Sequence, residues 1–373
     1  MSIRPHPALT LRGDAYERGR LYGDRARALI RKGVEHYVRL WERNTGKTQR
    51  ELFDLVRQFQ PVIADYDGEI LREIEGIAAG AKMPLEEILL INVRYELLVV
   101  AFFAYAGTGA TSRAECTSLG AVGEVTTDGH TYVAQNWDLT VDAGERSLLL
   151  EVIQDDRPNI VTHVEAGLVA HKGLNSCGLG LCINTLGSQH DDFVPAVPVF
   201  VLARRFLNSR TLDEGRRALE GARRAASVNF TVGADGGDVC SLEITPVDVS
   251  RVEAIDGRVA HANVFCDLRE GRGVRDELAS RFPVLSERSG RAQKLVAEAD
   301  AGLDGFRQIF TNREGKPEAI CRHLDDQPPQ APEALRLETV VSMIMDLTDR
   351  TVYLSDGPPD RSEYQKHTFP SLS

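Results

Sequence analysis

Near residue 110 the rhythm of apolar and polar positions changes. Upstream it is helical: within 14–41, Tyr22, Ala26, Leu29, Ile30, Val34, Tyr37 and Trp41 recur at intervals that place them on one helical face. A second helix, "QRELFDLVRQF", must end before Pro61, whose ring removes a backbone donor and clashes with the preceding turn. "DGEILREIEGIAAGA" predicts a third, and a fourth begins at Pro84, since proline suits a first helical turn. Then comes "AGTGATSRAE" (106–115), a run of small and polar residues that reads as an exposed linker.

From residue 116 onward, short apolar stretches alternate with Gly- or Asp-bearing turns, which predicts strands and hairpins. "CTSLGAVGEVTT" and "HTYVAQNWD" flank Asp128-Gly129, and further strands are read in "GLGLCINTL", "SVNFTVGADGGDVCSLEIT", "VSRVEAIDGRVAHANVF" and "TVVSMIMDLTDRTVYLSDG". Helices return near 197–207, 212–222 and 285–300, and "DDQPPQAPEALR" (325–336) is a proline-rich surface loop. A helical first third followed by antiparallel strands with helices between them predicts an α+β fold rather than a βαβ series. Two antiparallel sheets covered by helices would use both pieces.

Composition narrows the chemistry. With 42% hydrophobic and 27% charged residues in 373, the chain has the makings of a large soluble core. A net charge of −11 opposes nucleic-acid binding, which needs concentrated Lys and Arg. The longest apolar run, "LLVVAFFAYAG" (97–107), is about half of the roughly 20 residues that span a bilayer, so a buried helix is expected and no membrane span. The opening "MSIRPHPALTLRGD" lacks the apolar run of a secretory signal, and the cytoplasm is the expected compartment. Six cysteines are too sparse for a disulfide framework, and none forms CxxC or completes a zinc site, so no metal is expected. No GxGxxG or GxxxxGK[ST] follows a strand, which leaves a nucleotide fold without support.

Attention falls on Cys116, placed between the loose approach and the first strand. Taken alone it reads more readily as a buried structural thiol than as a nucleophile. The geometry of its hairpin bears on the choice. A two-residue Asp128-Gly129 turn would set Cys116 opposite Val141 and turn Asp138 to the other face. A three-residue Thr127-Asp128-Gly129 loop with a bulge would set Cys116 opposite Thr140, with Asp138 on the face of Cys116. A catalytic pairing of Cys116 with Asp138 therefore expects the bulged loop.

"ECTSLGAV" followed by "DGHTYVAQNWD" resembles the start of the mature β-chain in the acyl-CoA:6-aminopenicillanic acid acyltransferase family, the isopenicillin N acyltransferase-like N-terminal nucleophile hydrolases. "ERGRLYG", "EIEGIAAGA", "EILLINVRYEL", "GLNSCGLGLCINTL", "SVNFTVGADGGDVCSLEITP", "HANVF" and "TVVSMIMDLTDRTVYLSDGPP" resemble its other segments in the expected order, across nearly the whole chain. The resemblance implies an αββα sandwich of two antiparallel sheets between helical layers, made as an inactive precursor. The precursor would cut itself between Glu115 and Cys116, leaving 1–115 as an α chain and 116–373 as a β chain, held together as one domain. The penicillin-pathway pattern has glycine before the cysteine; this chain has the bulkier Glu115, which tolerates fewer backbone conformations.

The implied roles make chemical sense. A thiol of ordinary pKa about 8.5 is mostly protonated at neutral pH and needs a base. Once Cys116 is N-terminal, its own α-amine, of pKa about 7.7–8.0, can take that proton. Asp138 or a bound water would assist the first cut, and Asp138 would afterwards orient the amine and hold its charge. By the same resemblance Asn229 helps form the oxyanion hole, Arg291 is the helix arginine near the site with Arg288 as the alternative, and Thr117 and Ser118 contact the amine. Asn175 and His261 lie in family-like segments without an assigned role. No cofactor is implied; an acyl-CoA would be a substrate. The expected reaction is acyl transfer from a small-molecule N-acyl amide through a Cys116 thioester, with water or an amine as acceptor. Two rivals stand beside it. One is a Cys-His protease drawing on His163, His171 or His261, without a local protease signature around Cys116. The other is a non-catalytic relative that keeps the fold as a binding protein.

Overall fold

The computed structural model describes residues 7–98, 115–330 and 336–372. Most of the apolar run 97–107, the linker up to residue 114 and part of the proline-rich stretch lie outside the described residues.

Local signals start the helices where the sequence places them. Asp14 and Glu17 form a capping box for α1 (Ala15–Arg25). The single helix expected over 14–41 is divided, because Ala26 leaves helical geometry and a separate α2 (Arg27–Thr45) follows. Thr48 and Glu51 cap α3 (Gln49–Arg57), which ends before Pro61 as expected; α4 (Gln60–Tyr66) then takes Pro61 into its first turn. Asp67 caps α5 (Gly68–Ala81), and Pro84 precedes α6 (Leu85–Asn92). Helices α1 and α5 cross with their backbones touching. A methyl on Gly23 would sit 2.1 Å from the Ile77 carbonyl oxygen, and one on Gly80 2.0 Å from that of Arg20.

Among the described residues the strands form two sheets. The larger has the order β1 (Ala8–Leu11), β4 (Ser147–Val152), β5 (Ile160–Glu165), β6 (Lys172–Asn175), β7 (Leu179–Thr185), β8 (Val228–Ala234), β9 (Asp238–Ile244), β10 (Val249–Glu253). The smaller has the order β11 (Arg258–His261), β2 (Glu115–Ala121), β3 (Tyr132–Leu139), β12 (Glu338–Asp346), β13 (Thr351–Asp356), β14 (Gln365–Thr368). The pairings are antiparallel apart from β1, which joins β4 in parallel as an edge strand and corrects the expectation of two wholly antiparallel sheets. A single turn, α7 (Asp142–Glu145), links β3 to β4, and α8 (Val199–Leu207) and α9 (Leu212–Glu220) lie between β7 and β8. Short α10 (Glu277–Arg281), then α11 (Val284–Glu298) and α12 (Leu303–Phe310), lie between β11 and β12.

Three apolar layers account for the stacking. Residues of α1–α6 and α8 pack with Leu148, Leu150, Phe230 and Leu242 on one face of the larger sheet. Leu149, Val161, Leu174 and Val239 on its other face meet Cys116, Val133, Trp137 and Met343 of the smaller sheet. The smaller sheet turns Leu119, Tyr132, Ala134 and Ile344 towards Ala292, Val296, Phe306 and Phe310 of α11 and α12. The fold is thus an α+β, αββα sandwich, with β2 facing the intersheet core on one side and α11 on the other.

The first hairpin departs from both expected registers. Glu115 lies opposite Asp138 and Cys116 opposite Trp137, instead of Val141 or Thr140. The connection is neither a two- nor a three-residue turn; it runs from Val122 to Thr131 and includes a 3₁₀ turn at Gly123–Val125. Its backbone groups bond outside the hairpin, Val122 N–H donating to the Gly257 carbonyl and Thr127 N–H to that of Ala301. Alternation then puts Asp138 on the face of Glu115 and Thr117, opposite to that of Cys116.

Candidate active site

The Glu115–Cys116 peptide sits at the head of β2, and its two side chains enter different environments. Cys116 is 3% exposed and belongs to the intersheet core. Its backbone N–H donates to Asn263 Oδ1 at 2.9 Å, and Asn184 Nδ2 donates to its carbonyl oxygen at 3.2 Å. Asn263 holds a left-handed backbone, φ 63°, where asparagine is among the better-tolerated residues. Its Nδ2 is anchored on the Thr185 carbonyl at 2.9 Å. The peptide nitrogen that a cut would convert into an α-amine is therefore already held by a side-chain acceptor.

On the other face of β2, Glu115 enters a buried charged cluster. Arg288 of α11 donates through Nη1 to Glu115 Oε2 at 2.6 Å and through Nη2 to Asn263 Oδ1 at 2.8 Å. Arg322 donates to the same Glu115 oxygen and to Glu318. Both guanidiniums are fully buried. Asp138 completes the cluster: Thr339 Oγ1 donates to its Oδ1 at 2.7 Å, and its Oδ2 lies 3.6 Å from Arg288 Nη1. Burial pushes the Asp138 carboxyl up to about 7, although Arg322 and Arg288 pull it down.

The Asp138 main chain also bears on the Cys116 thiol, slightly favouring its charged form. Burial raises that thiol to about 12, and the Asp138 charge adds to the rise, while Lys172 and Arg288 oppose it. Lys172 is fully buried, with Nζ 4.1 Å from the centre of the Trp137 ring and 3.5 Å from His171 Nδ1. Burial lowers its ammonium to about 7, and Cys116 and Cys182 are the next influences on it. The thiol thus rests neutral in the buried intersheet core, within electrostatic reach of the Lys172 ammonium.

The residues expected at the site fall into distinct places. Asn229 is fully buried and reaches Cys116 indirectly, donating through Nδ2 to Asn184 Oδ1 at 3.1 Å and to Thr231 Oγ1 at 3.0 Å. Thr117 and Ser118 are buried on opposite faces of β2, and neither hydroxyl has a hydrogen-bond partner among the described residues. Arg291 does not reach the cluster: it lies against Gly315, with Nε 4.0 Å from Glu314 Oε2, and Arg288, one turn earlier, occupies the place considered for it. Asn175 caps a turn, taking the N–H of Cys177 and Leu179, and His261 faces Glu243 at 3.3 Å. His163 and His171 pack on the Trp137 ring. Sequence reasoning missed Asn263, Asn184, Arg322, Thr339 and Lys172. Asn263 and Asn184 do lie within the segments "HANVF" and "GLGLCINTL"; Arg322 sits in an irregular stretch without periodic signal.

Groups that could hold a metal occur elsewhere. Cys321, His323 and Asp360 cluster, as do Glu243, His261 and Cys266. Arg313 and Arg272 respectively already engage these clusters, and neither contains Cys116. No helix of the described residues is long and apolar enough to cross a membrane.

Comparison with known proteins adds an independent line. The sequence model of a family described as acyl-coenzyme A:6-aminopenicillanic acid acyl-transferase matches residues 125–361, more than half of the chain. The 40 kDa form of acyl-coenzyme A:6-aminopenicillanic-acid-acyltransferase from Emericella nidulans is 26% identical over 356 residues, covering 95% of this chain and 94% of that protein. Among solved structures, penicillin V acylase from Agrobacterium tumefaciens aligns with a TM-score of 0.42 and 13% identity over 65% of this chain and 83% of its own. A mutant of conjugated bile acid hydrolase from Clostridium perfringens aligns with a TM-score of 0.42 and 12% identity, over 69% and 97% respectively.

Proposed function

The chain belongs to the acyl-coenzyme A:6-aminopenicillanic acid acyl-transferase family, and from that premise we propose a self-processing amidase that works through Cys116. The Cys116 thiol attacks the Glu115 carbonyl, the C–N bond breaks, and an N-to-S shift leaves residues 1–115 as a thioester on Cys116. Water then cleaves the thioester, giving Glu115 a carboxylate and Cys116 a free α-amine and thiol. In the precursor the amine is unavailable as a base; the Asp138 carboxyl lies on the other face of β2 from the Cys116 side chain, so it assists the first step through water rather than by direct contact with the thiol. Its pKa near 7 suits it to exchange a proton at neutral pH.

After the cut, the α-amine of Cys116 takes the thiol proton. The thiolate adds to the carbonyl of a small-molecule N-acyl amide, and the amine returns the proton to the leaving nitrogen. Water hydrolyses the resulting acyl-enzyme. Asn229 supplies an amide donor for the developing oxyanion once it releases Asn184 Oδ1 and Thr231 Oγ1, a contribution of about 3–4 kcal/mol where such a donor is aimed at the transition state. Arg288 replaces Arg291 in the proposed site. Hydrolysis and transfer to an amine share every step up to the acyl-enzyme, and an acyl-CoA would enter as an alternative acyl donor, not as a cofactor.

One observation carries this reading: the Cys116 nitrogen is held by Asn263 Oδ1 while Arg288 joins that same oxygen to the carboxylate of the preceding residue. The reading is tested by incubating the protein with a panel of N-acyl amides and acyl-CoA donors, scoring free acid and transferred product. Acid release that disappears in Cys116→Ala supports it. Absence of product from every donor, by protein shown to be cleaved, contradicts it.

A further inference from the structure

Glu115 stands where the penicillin-pathway pattern has glycine, and its side chain does something glycine cannot. Its carboxylate is the shared partner of Arg288 and Arg322, two guanidiniums without solvent exposure. Buried cations of this kind are costly unless paired. Several of their donors still lack a hydrogen-bond partner among the described residues: Arg288 Nε, and Arg322 Nε and Nη2. Asp138 Oδ2 is 3.6 Å from Arg288 and Glu318 contacts Arg322, so neither cation would stand alone if the Glu115 carboxylate left. The place that it vacated would still present guanidinium donors of fixed geometry, suited to a carboxylate.

The inference rests on the self-processing reading above. In that reading Glu115 is the acyl half of the first bond that Cys116 breaks, so its side chain marks where the acyl chain of an external substrate goes. Counted from the attacked carbonyl, the glutamate side chain has the carbon skeleton of a glutaryl group. We propose that the Arg288–Arg322 pair is the acyl-carboxylate subsite of the mature enzyme. The preferred substrates are then amides of dicarboxylic acids with the chain length of glutaryl, and Glu115 occupies their place until the chain is cut.

The test compares two anilides on the cleaved protein, N-glutaryl-p-nitroanilide and N-pentanoyl-p-nitroanilide, which differ at the chain end by a carboxylate in place of a methyl. The expected ratio of kcat/KM favours glutaryl by about 10- to 100-fold, the worth of one or two charge-assisted hydrogen bonds. In the double variant Glu115→Gln/Arg322→Met, which removes both charges together, the ratio falls towards one. A cleaved, active wild type that prefers the pentanoyl compound, or treats the two alike, overturns the subsite and leaves the amidase reading intact. If the cleaved protein hydrolyses neither, the amidase reading fails, and binding decides the subsite. Glutarate raising the melting temperature where pentanoate does not supports it, and equal effects overturn it. The same wild-type binding comparison decides it if the double variant does not fold. A chain that never cuts keeps Glu115 in place and overturns the subsite together with self-processing.

Discussion

Asn263 shows how one side chain would position the bond proposed to react. Its Oδ1 takes both the Cys116 N–H and Arg288 Nη2, and its backbone holds φ 63°. Asn263→Gly removes the acceptor and keeps the backbone permissive; Asn263→Ala removes the acceptor and adds left-handed strain of about 1–2 kcal/mol. Both variants are expected to cut more slowly than wild type by gel densitometry, with Ala the less stable in urea. Equal cutting by Gly and wild type would dismiss Asn263 from the site. Asp138 gives a pH signature. Protonated, it cannot accept a proton, so self-cleavage should slow as pH falls through about 7. Asp138→Asn should lose that rise and cut about 10²- to 10⁴-fold more slowly at pH 8, the usual worth of a positioned acid or base. These residues were unevenly legible. Cys116 and Asp138 stand out in ordered segments of the resemblance, but Arg288 and Arg291 differ by one helical turn, which sequence alone could not resolve. Arg322 lies in an irregular stretch after α12, where no period announces which way a side chain faces.

The helices and strands follow from periodicity, and in the structure Asp14, Thr48 and Asp67 cap the starts of α1, α3 and α5. Register is a different matter. The β2–β3 connection bonds to Gly257 and Ala301, far along the chain, and no local turn rule foretells that. The parallel seat of β1 beside β4 is likewise set by long-range pairing. Glycines carry an element-scale prediction. Gly80 in α5 meets the Arg20 backbone, whereas Gly290 in α11 is exposed with open space around its missing Cβ. Gly80→Ala should cost about 1–3 kcal/mol or more by overpacking, and Gly290→Ala should add about 0.5–1 kcal/mol by helix propensity. Urea unfolding of the uncleavable Cys116→Ala chain compares them; a neutral Gly80→Ala would contradict the close crossing of α1 and α5.

Across the whole molecule, the segment before the junction is woven into the segment after it. Tyr22 accepts the Gly167 N–H at 2.7 Å, Arg94 pairs with Glu165 at 2.6 Å, and Tyr95 donates to the Ser227 carbonyl at 2.7 Å. The apolar layer beneath those contacts draws on both sides of the junction, from Leu11 to Ile244. A cut at Glu115–Cys116 should therefore leave one particle: the same elution volume in size-exclusion chromatography, and two pieces only in denaturant. Separation in native buffer would show that the shared core does not hold. The central claim, that Cys116 cuts the chain before itself, is tested most directly by intact-mass spectrometry of the denatured protein beside Cys116→Ala. The account predicts two masses from wild type, split between residues 115 and 116, and one mass of 41.1 kDa from the variant. A wild type that stays at 41.1 kDa after prolonged incubation at pH 8 would contradict it.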